Sequence, residues 1–257
     1  MRVLVTFAVD AEFAPWRLRR EFVRRRLPEH YGAAACYSSP VGQTHVDVLL
    51  TGMALRNAEP GLSLLMGEGV GVCIASGLAG ALRPGLACGE IVVARHLSRL
   101  RGTETRDCDH RLVSLAVEKG ATAVETLLGS ESVLTTSSAK REAAKQGNVV
   151  DMESFAILAK ASESWIPSVA IRSISDTSEE DLPIDFNRTI GLRGGIKLGA
   201  VLSQVARHPA QLSKLVSFGR RSQEAAHKLA SYLDSYIQAL DGNFVVGEPA
   251  LQERGLA

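Results

Sequence analysis

Val70-Gly71-Val72-Cys73-Ile74-Ala75 runs straight into Ser76-Gly77-Leu78-Ala79-Gly80-Ala81-Leu82, and how these two pieces are read decides the fold. The first piece is apolar or small at every position, which suits a strand covered on both faces. The second is built of small residues, which let a backbone turn tightly or approach a ligand closely. It reads as a glycine-rich turn leaving the strand. It is not the dinucleotide-binding glycine fingerprint, and no Gly-Lys-Ser/Thr follows to make a P-loop.

Working outward, short β-branched runs at 2–8, 44–50, 89–94 and 166–174 also read as strands. Helical periodicity lies between them at 13–26, 54–67, 138–146 and 153–163. Such alternation argues for an α/β fold: one domain with a mixed, mostly parallel central sheet flanked by helices. Residues 189–207 and 210–240 read as C-terminal helices, parted at Arg207-His208-Pro209, where the proline suits a first helical turn. They carry apolar positions such as Leu202, Val205, Leu212, Leu215, Val216 and Phe218. Periodicity stops after Asp241-Gly242, so the domain is expected over 1–242 and a mobile tail over 243–257.

Length and composition agree with a single large domain. The chain has 257 residues, 46% of them apolar and 22% charged, which is enough to bury a sizeable core. A formal net charge of +1 gives no global field to recruit nucleic acid. Cys36, Cys73, Cys88 and Cys108 form no C-x-x-C pair and have no histidine at ligand spacing, so reduced thiols and no metal are expected. The first strand-like run, Val3 to Phe7, lacks the features of a signal peptide, and a cytoplasmic protein is expected. No apolar run approaches the ~18 residues of a membrane span. Arg17, Arg19, Arg20, Arg24, Arg25 and Arg26 crowd the expected first helix. They read as a solvated face with Trp16, Phe22 and Val23 turned inward, or as an attraction to an anionic membrane surface.

Three carboxylates stand out. Glu12 follows the first strand in Ala8-Val9-Asp10-Ala11-Glu12, and Asp176 follows the strand ending Ile171-Arg172-Ser173-Ile174-Ser175. Ligands in open α/β sheets bind beyond the carboxyl ends of strands. Taken alone, each could equally be a cap or turn residue. Glu153, in Val149-Val150-Asp151-Met152-Glu153, stands where an apolar run becomes a helix, and alone it reads as a first-turn carboxylate favoured by the helix dipole.

In this order along the chain, the segments resemble the purine nucleoside phosphorylase and nucleosidase superfamily. The glycine-rich segment with Pro84-Gly85 and Gly89-Glu90-Ile91-Val92-Val93 is similar to its central motif. Asp151-Met152-Glu153-Ser154-Phe155-Ala156 looks like its ribose motif, and Arg172-Ser173-Ile174-Ser175-Asp176 like its leaving-group motif. Asp181-Leu182-Pro183-Ile184-Asp185-Phe186-Asn187 and the helical tail look closest to the hopanoid-associated branch.

The resemblance implies cleavage of the bond between a purine and a ribose, without a cofactor. In that branch the substrate is adenosylhopane, split to adenine and a ribosylhopane or its phosphate. The alternative is a methylthioadenosine/S-adenosylhomocysteine nucleosidase or a general purine nucleoside phosphorylase; a nucleoside-binding module without catalysis is the remaining reading.

The roles follow by position. Asp176 would protonate or hydrogen-bond purine N7, a task for a carboxyl that keeps its proton in a partly buried site. Glu153 would bind ribose hydroxyls, with Met152 against the sugar. Glu12 would hold or deprotonate water, oriented by Arg172. Ser76, Gly77, Ala79 and Gly80 would approach the ligand, and Val133 and Leu134 would lie near the base. Val133 offers no ring to stack on it. Ala75 and Leu78 stand where the phosphorolytic enzymes carry an arginine and a serine, which favours water; Arg56 is the possible phosphate contact if phosphate is a co-substrate. The resemblance also implies a homo-oligomer, and a lipid-linked substrate would imply peripheral membrane contact.

Overall fold

The computed structural model describes residues 1–28, 35–53, 59–188 and 211–243. Ten strands form one sheet: β1 (Arg2–Phe7), β2 (Val23–Arg25), β3 (Ala35–Val41), β4 (Thr44–Leu50), β5 (Val72–Ala81), β6 (Ile91–Arg99), β7 (Thr105–Asp107), β8 (Thr122–Gly129), β9 (Val149–Asp151) and β10 (Ser168–Asp176). The helices are α1 (Asp10–Arg17), α2 (Glu59–Met66), α3 (His110–Glu118), α4 (Ser137–Ala143), α5 (Ser154–Glu163) and the long α6 (Leu212–Asn243).

The sheet is mixed and its central strands are parallel. β1 pairs in parallel with β4 and β5, and β5 with β10. β10 runs antiparallel to β6, β6 parallel to β8, β8 parallel to β9, and β9 returns antiparallel to β5. These five strands therefore close a ring, from which β1, β4, β3 and β2 extend as a wing. β10 is buried at all nine positions, although Ser168, Arg172, Ser173, Ser175 and Asp176 are polar or charged.

α1 packs Phe13 and Trp16 against Phe7, Phe22 and Tyr37 in an aromatic cluster. α6 crosses this layer: Asp234 accepts hydrogen bonds from Trp16 Nε1 and Arg20, while the Tyr232 and Tyr236 hydroxyls donate to α3 carbonyls. The helix expected over 210–240 is thus one 32-residue element.

Two local readings are corrected. The glycine-rich segment is not a turn: β5 stays extended through Ala81, because β10 pairs with it from Cys73 to Gly80. The helix expected over 13–26 ends at Arg17, and Val23–Arg25 forms an edge strand on β3. Val23 is accordingly 71% exposed rather than core-facing. Arg17 pairs with Asp10, Arg20 with Asp234, and Arg25 with Glu68 and Asp47, so half of the arginine run is spent on internal acids. The helix expected over 189–207, Arg207-His208-Pro209 and most of the expected tail lie outside the described residues. Among the described residues no helix is long and apolar enough to cross a membrane.

Candidate active site

The parallel register of β5 and β10 builds the site. Arg172 lies opposite Gly77, and Asp176 reaches Gly80 across a bulge after Ile174. A side chain at either glycine would collide with its partner: a Cβ on Gly77 would lie 2.5 Å from Arg172 Nη1 and 3.0 Å from Glu12, and one on Gly80 would lie 3.0 Å from Asp176 Oδ2. Gly77 also has φ of +136°, where side chains strain the backbone. The small residues thus make room for charged groups from the neighbouring strand.

Above this floor is a cleft of about 210 Å³ lined by Glu12, Asp151, Glu153 and Asp176, with Met152, Leu78, Ala79, Gly80, Val133 and Leu134 among its walls. Ser76, Gly77 and Arg172 lie behind the floor rather than in the wall. A larger groove of about 830 Å³ runs past His96, His110 and Trp165 but touches none of the cleft's carboxylates, so size alone does not locate the chemistry.

Glu12 stands in the first turn of α1. Its carboxylate accepts from Ala8 N at 3.0 Å, Val9 N at 3.4 Å and, across the sheet, Leu78 N at 3.0 Å. Burial pushes its proton affinity above the ordinary carboxylate range, although Arg172 and these N–H groups pull the other way. A carboxylate so tuned suits a general base near neutral pH.

Arg172 is 1% exposed. It pairs with Asp151 at 2.5 Å and donates to Ser154 Oγ and the Ser76 carbonyl. Its donors are bound behind Gly77, and its charge lowers the proton affinity of Glu12. Ser76 contributes its carbonyl, and its hydroxyl has no partner.

Asp176 is met by a group that sequence reasoning missed. Lys140 Nζ lies 2.5 Å from Asp176 Oδ2 in a side chain 1% exposed, and Ser175 Oγ donates to Oδ1 at 2.5 Å. The ammonium thus sets a full positive charge against this carboxyl group. A signal existed: Lys140 shares the buried face of α4 with Ala143, where a charge is out of place. Phe186 and Phe218, tilted at 43° with centroids 5.3 Å apart, bring to the cleft the rings that position 133 lacks. Asn187 fixes that wall by exchanging hydrogen bonds with the Val133 backbone. Arg56 lies outside the described residues.

A cleft at the carboxyl ends of parallel strands, ringed by carboxylates of contrasting surroundings, is the site of an α/β enzyme for a small-molecule substrate. The chain belongs to the phosphorylase superfamily, whose family model matches residues 20–207. No curated protein matches it. Among solved structures it is similar in fold to the Campylobacter jejuni 5′-methylthioadenosine/S-adenosylhomocysteine nucleosidase, with TM-score 0.71, 14% identity and coverage of 93% of this chain and 100% of that one. A Helicobacter pylori futalosine hydrolase mutant gives TM-score 0.70, 16% identity and coverage of 93% and 100%. The Neisseria meningitidis 5′-methylthioadenosine/S-adenosylhomocysteine nucleosidase, in complex with methylthio-immucillin-A, gives 0.69, 18%, and 93% and 99%.

Proposed function

We propose that this enzyme hydrolyses the N-glycosidic bond of an adenine nucleoside. The observation that carries this reading is the Glu12 carboxylate. It already occupies three backbone N–H groups, two just past β1 and one within β5, the kind of donors an attacking phosphate would need. A phosphate there would meet a carboxylate instead of a cradle. Water suits the same place, because Glu12 can take its proton.

The sequence of events is short. Glu153 holds the ribose hydroxyls, with Met152 against the sugar. Asp176 gives a proton to N7 as the bond to C1′ breaks, and water adds to C1′ while Glu12 takes its proton. One proton enters the base and one leaves the water, so charge balances. Bulk solvent resets both carboxyl groups.

The nucleoside favoured by the sequence resemblance is adenosylhopane, and the apolar side of the cleft supports it. Met53, Leu182, Phe186 and Phe218 line that side, while Leu212 and Val216 remain 50% and 47% exposed on the helix leading to Phe218. A volume of about 210 Å³ is below the usual range for a drug-sized ligand, so a triterpenoid must leave by the mouth. Exposed Leu18 and Val23 beside Arg19 and Arg24 provide a surface for peripheral membrane contact in such a reading.

Adenine release measured with and without phosphate tests the hydrolytic reading, and strict dependence on phosphate overturns it. Competition between adenosylhopane and methylthioadenosine tests the substrate. A higher kcat/KM for methylthioadenosine replaces the lipid with a small thioether. Sedimentation at micromolar concentration tests the homo-oligomer, which a monomer would contradict.

A further inference from the structure

Lys140 is a fully buried cation whose donors all have acceptors. Nζ contacts Asp176 Oδ2 at 2.5 Å, the Thr177 carbonyl at 2.7 Å and the Glu180 carbonyl at 3.0 Å. An ammonium has three donors, so the group is saturated. Its partners are not arbitrary. One is the carboxylate assigned to the leaving group. The other two belong to the segment after β10, which continues to Leu182 and Phe186 in the cleft wall. Asp181 accepts from Ser137 N and Leu182 N donates to the Thr135 carbonyl, so the start of the lysine's own helix is tied to that segment.

The position of the charge bears on the chemistry. Oδ1 of Asp176 is occupied by Ser175, leaving Oδ2 between Lys140 and the open space over Gly80. When an acid gives up its proton, negative charge grows on its carboxylate. A fixed cation on the far side of that carboxylate is a preorganised stabiliser of the growing charge, and it acts in a water-poor site where such effects are strongest. An ion pair kept only for stability would gain little over an apolar pair of equal volume.

Resting on the nucleoside-cleaving reading above, we propose that Lys140 is a positioning residue for base departure. It stabilises the carboxylate that Asp176 becomes on protonating the base, and it ties that carboxylate to the segment that walls the cleft. Lys140 touches no substrate atom and acts wholly through Asp176.

The test compares two leaving groups. Lys140→Gln keeps donors for the two carbonyls and removes the charge; Lys140→Met removes both. With an adenine nucleoside, Lys140→Gln lowers kcat about 10²-fold with KM changed less than about 3-fold, as expected for an interaction formed in the transition state. With p-nitrophenyl β-riboside, whose phenolate leaves unprotonated, the same variant stays within about 5-fold of wild type. In an Asp176→Asn background, Lys140→Gln has no further effect on adenine release, because coupled groups are not additive. A wild-type chain that releases neither adenine nor nitrophenolate sinks the nucleosidase reading itself. An active wild type whose Lys140→Gln variant loses equally on both substrates, or loses nothing, overturns the role of Lys140. Circular dichroism of each variant confirms folding; if Lys140→Met unfolds, Lys140→Gln still decides.

Discussion

Glu12 and Asp176 are buried carboxylates in one cleft, and their surroundings are opposite in kind. Glu12 is held by backbone dipoles from α1 and β5, with its nearest cation, Arg172, committed to Asp151 and Ser154. Asp176 touches a full ammonium. Partial charges offset burial only in part, so Glu12 keeps a raised proton affinity. Lys140 sets a whole positive charge against Asp176. In the proposed reaction the first surroundings suit a base and the second suit the anion that an acid leaves behind.

The largest effects come from removing either carboxyl. Asp176→Asn nearly abolishes adenine release, and Glu12→Gln lowers kcat by about 10²–10⁴-fold, each with near-native circular dichroism. More than about a tenth of wild-type kcat in Asp176→Asn breaks its assignment as acid.

The glycines sharpen the contrast. Gly77→Ala drives a methyl between Arg172 and Glu12 at a positive φ, so kcat falls about 10²-fold and thermal stability drops. Gly80→Ala meets only the tip of the Asp176 carboxylate at 3.0 Å, and its loss is smaller on both measures. Equal losses would mean that the two floors are equally tight.

The pH dependence separates the stations further. Glu12 must be ionised to take a proton from water, so kcat/KM falls as pH drops through its raised value, above the ordinary carboxylate range. Stability moves the other way. The folded state holds the Glu12 proton more tightly than the unfolded chain, so this contribution is full below the unfolded value and is lost as pH rises through the folded one. Melting curves of Glu12→Gln lack that component of the pH slope; an unchanged slope would show that Glu12 titrates as in the unfolded chain.

The smallest effect is at the aromatic wall. Phe186→Ala raises KM for adenine nucleosides a few-fold, on the order of 1 kcal/mol, and leaves kcat nearly intact. A kcat loss larger than the KM change would move Phe186 from the wall to the chemistry.

Much of this was legible in the sequence, for physical reasons. β1, β4 and β10 each carry a β-branched apolar run, Val3–Val5, Val48–Leu50 and Val169–Ile171, that marks them as strands of a covered sheet, and Asp176 stands at the end of one and Glu12 just beyond another. Gly77 and Gly80 were legible as small but not as extended: their smallness serves Arg172 and Asp176 on the neighbouring strand, and a single sequence carries no register between strands about 95 residues apart. β2 was hidden because Val23-Arg24-Arg25 pairs along an exposed edge, where helix-like composition and strand pairing conflict. β8 and α3 went unread although Asp109, Gly120 and Gly129 bound them, because β8 mixes Thr122, Glu125 and Thr126 with its apolar residues. Asp151 was quoted as part of a motif, yet its pairing with Arg172 needs β9 beside β10's side chains. Lys140 was legible only as a charge on the wrong face of a short helix.

The closed ring of β5, β10, β6, β8 and β9 sets an order on how the protein matures. β5 is made early in synthesis, but its partner β10 emerges roughly 95 residues later, at the ribosome's usual pace of about 5–20 residues per second. Until then neither Gly77 nor Gly80 has the strand it was shaped for, and the edge of β5 that faces β10 is open. Such late, non-local pairing is slow and exposes the chain to aggregation. Asp176 and Arg172, both on β10, therefore arrive in a single event and meet Glu12 and Lys140 made before them, so a nascent or truncated chain lacking β10 holds those two residues without the groups they face.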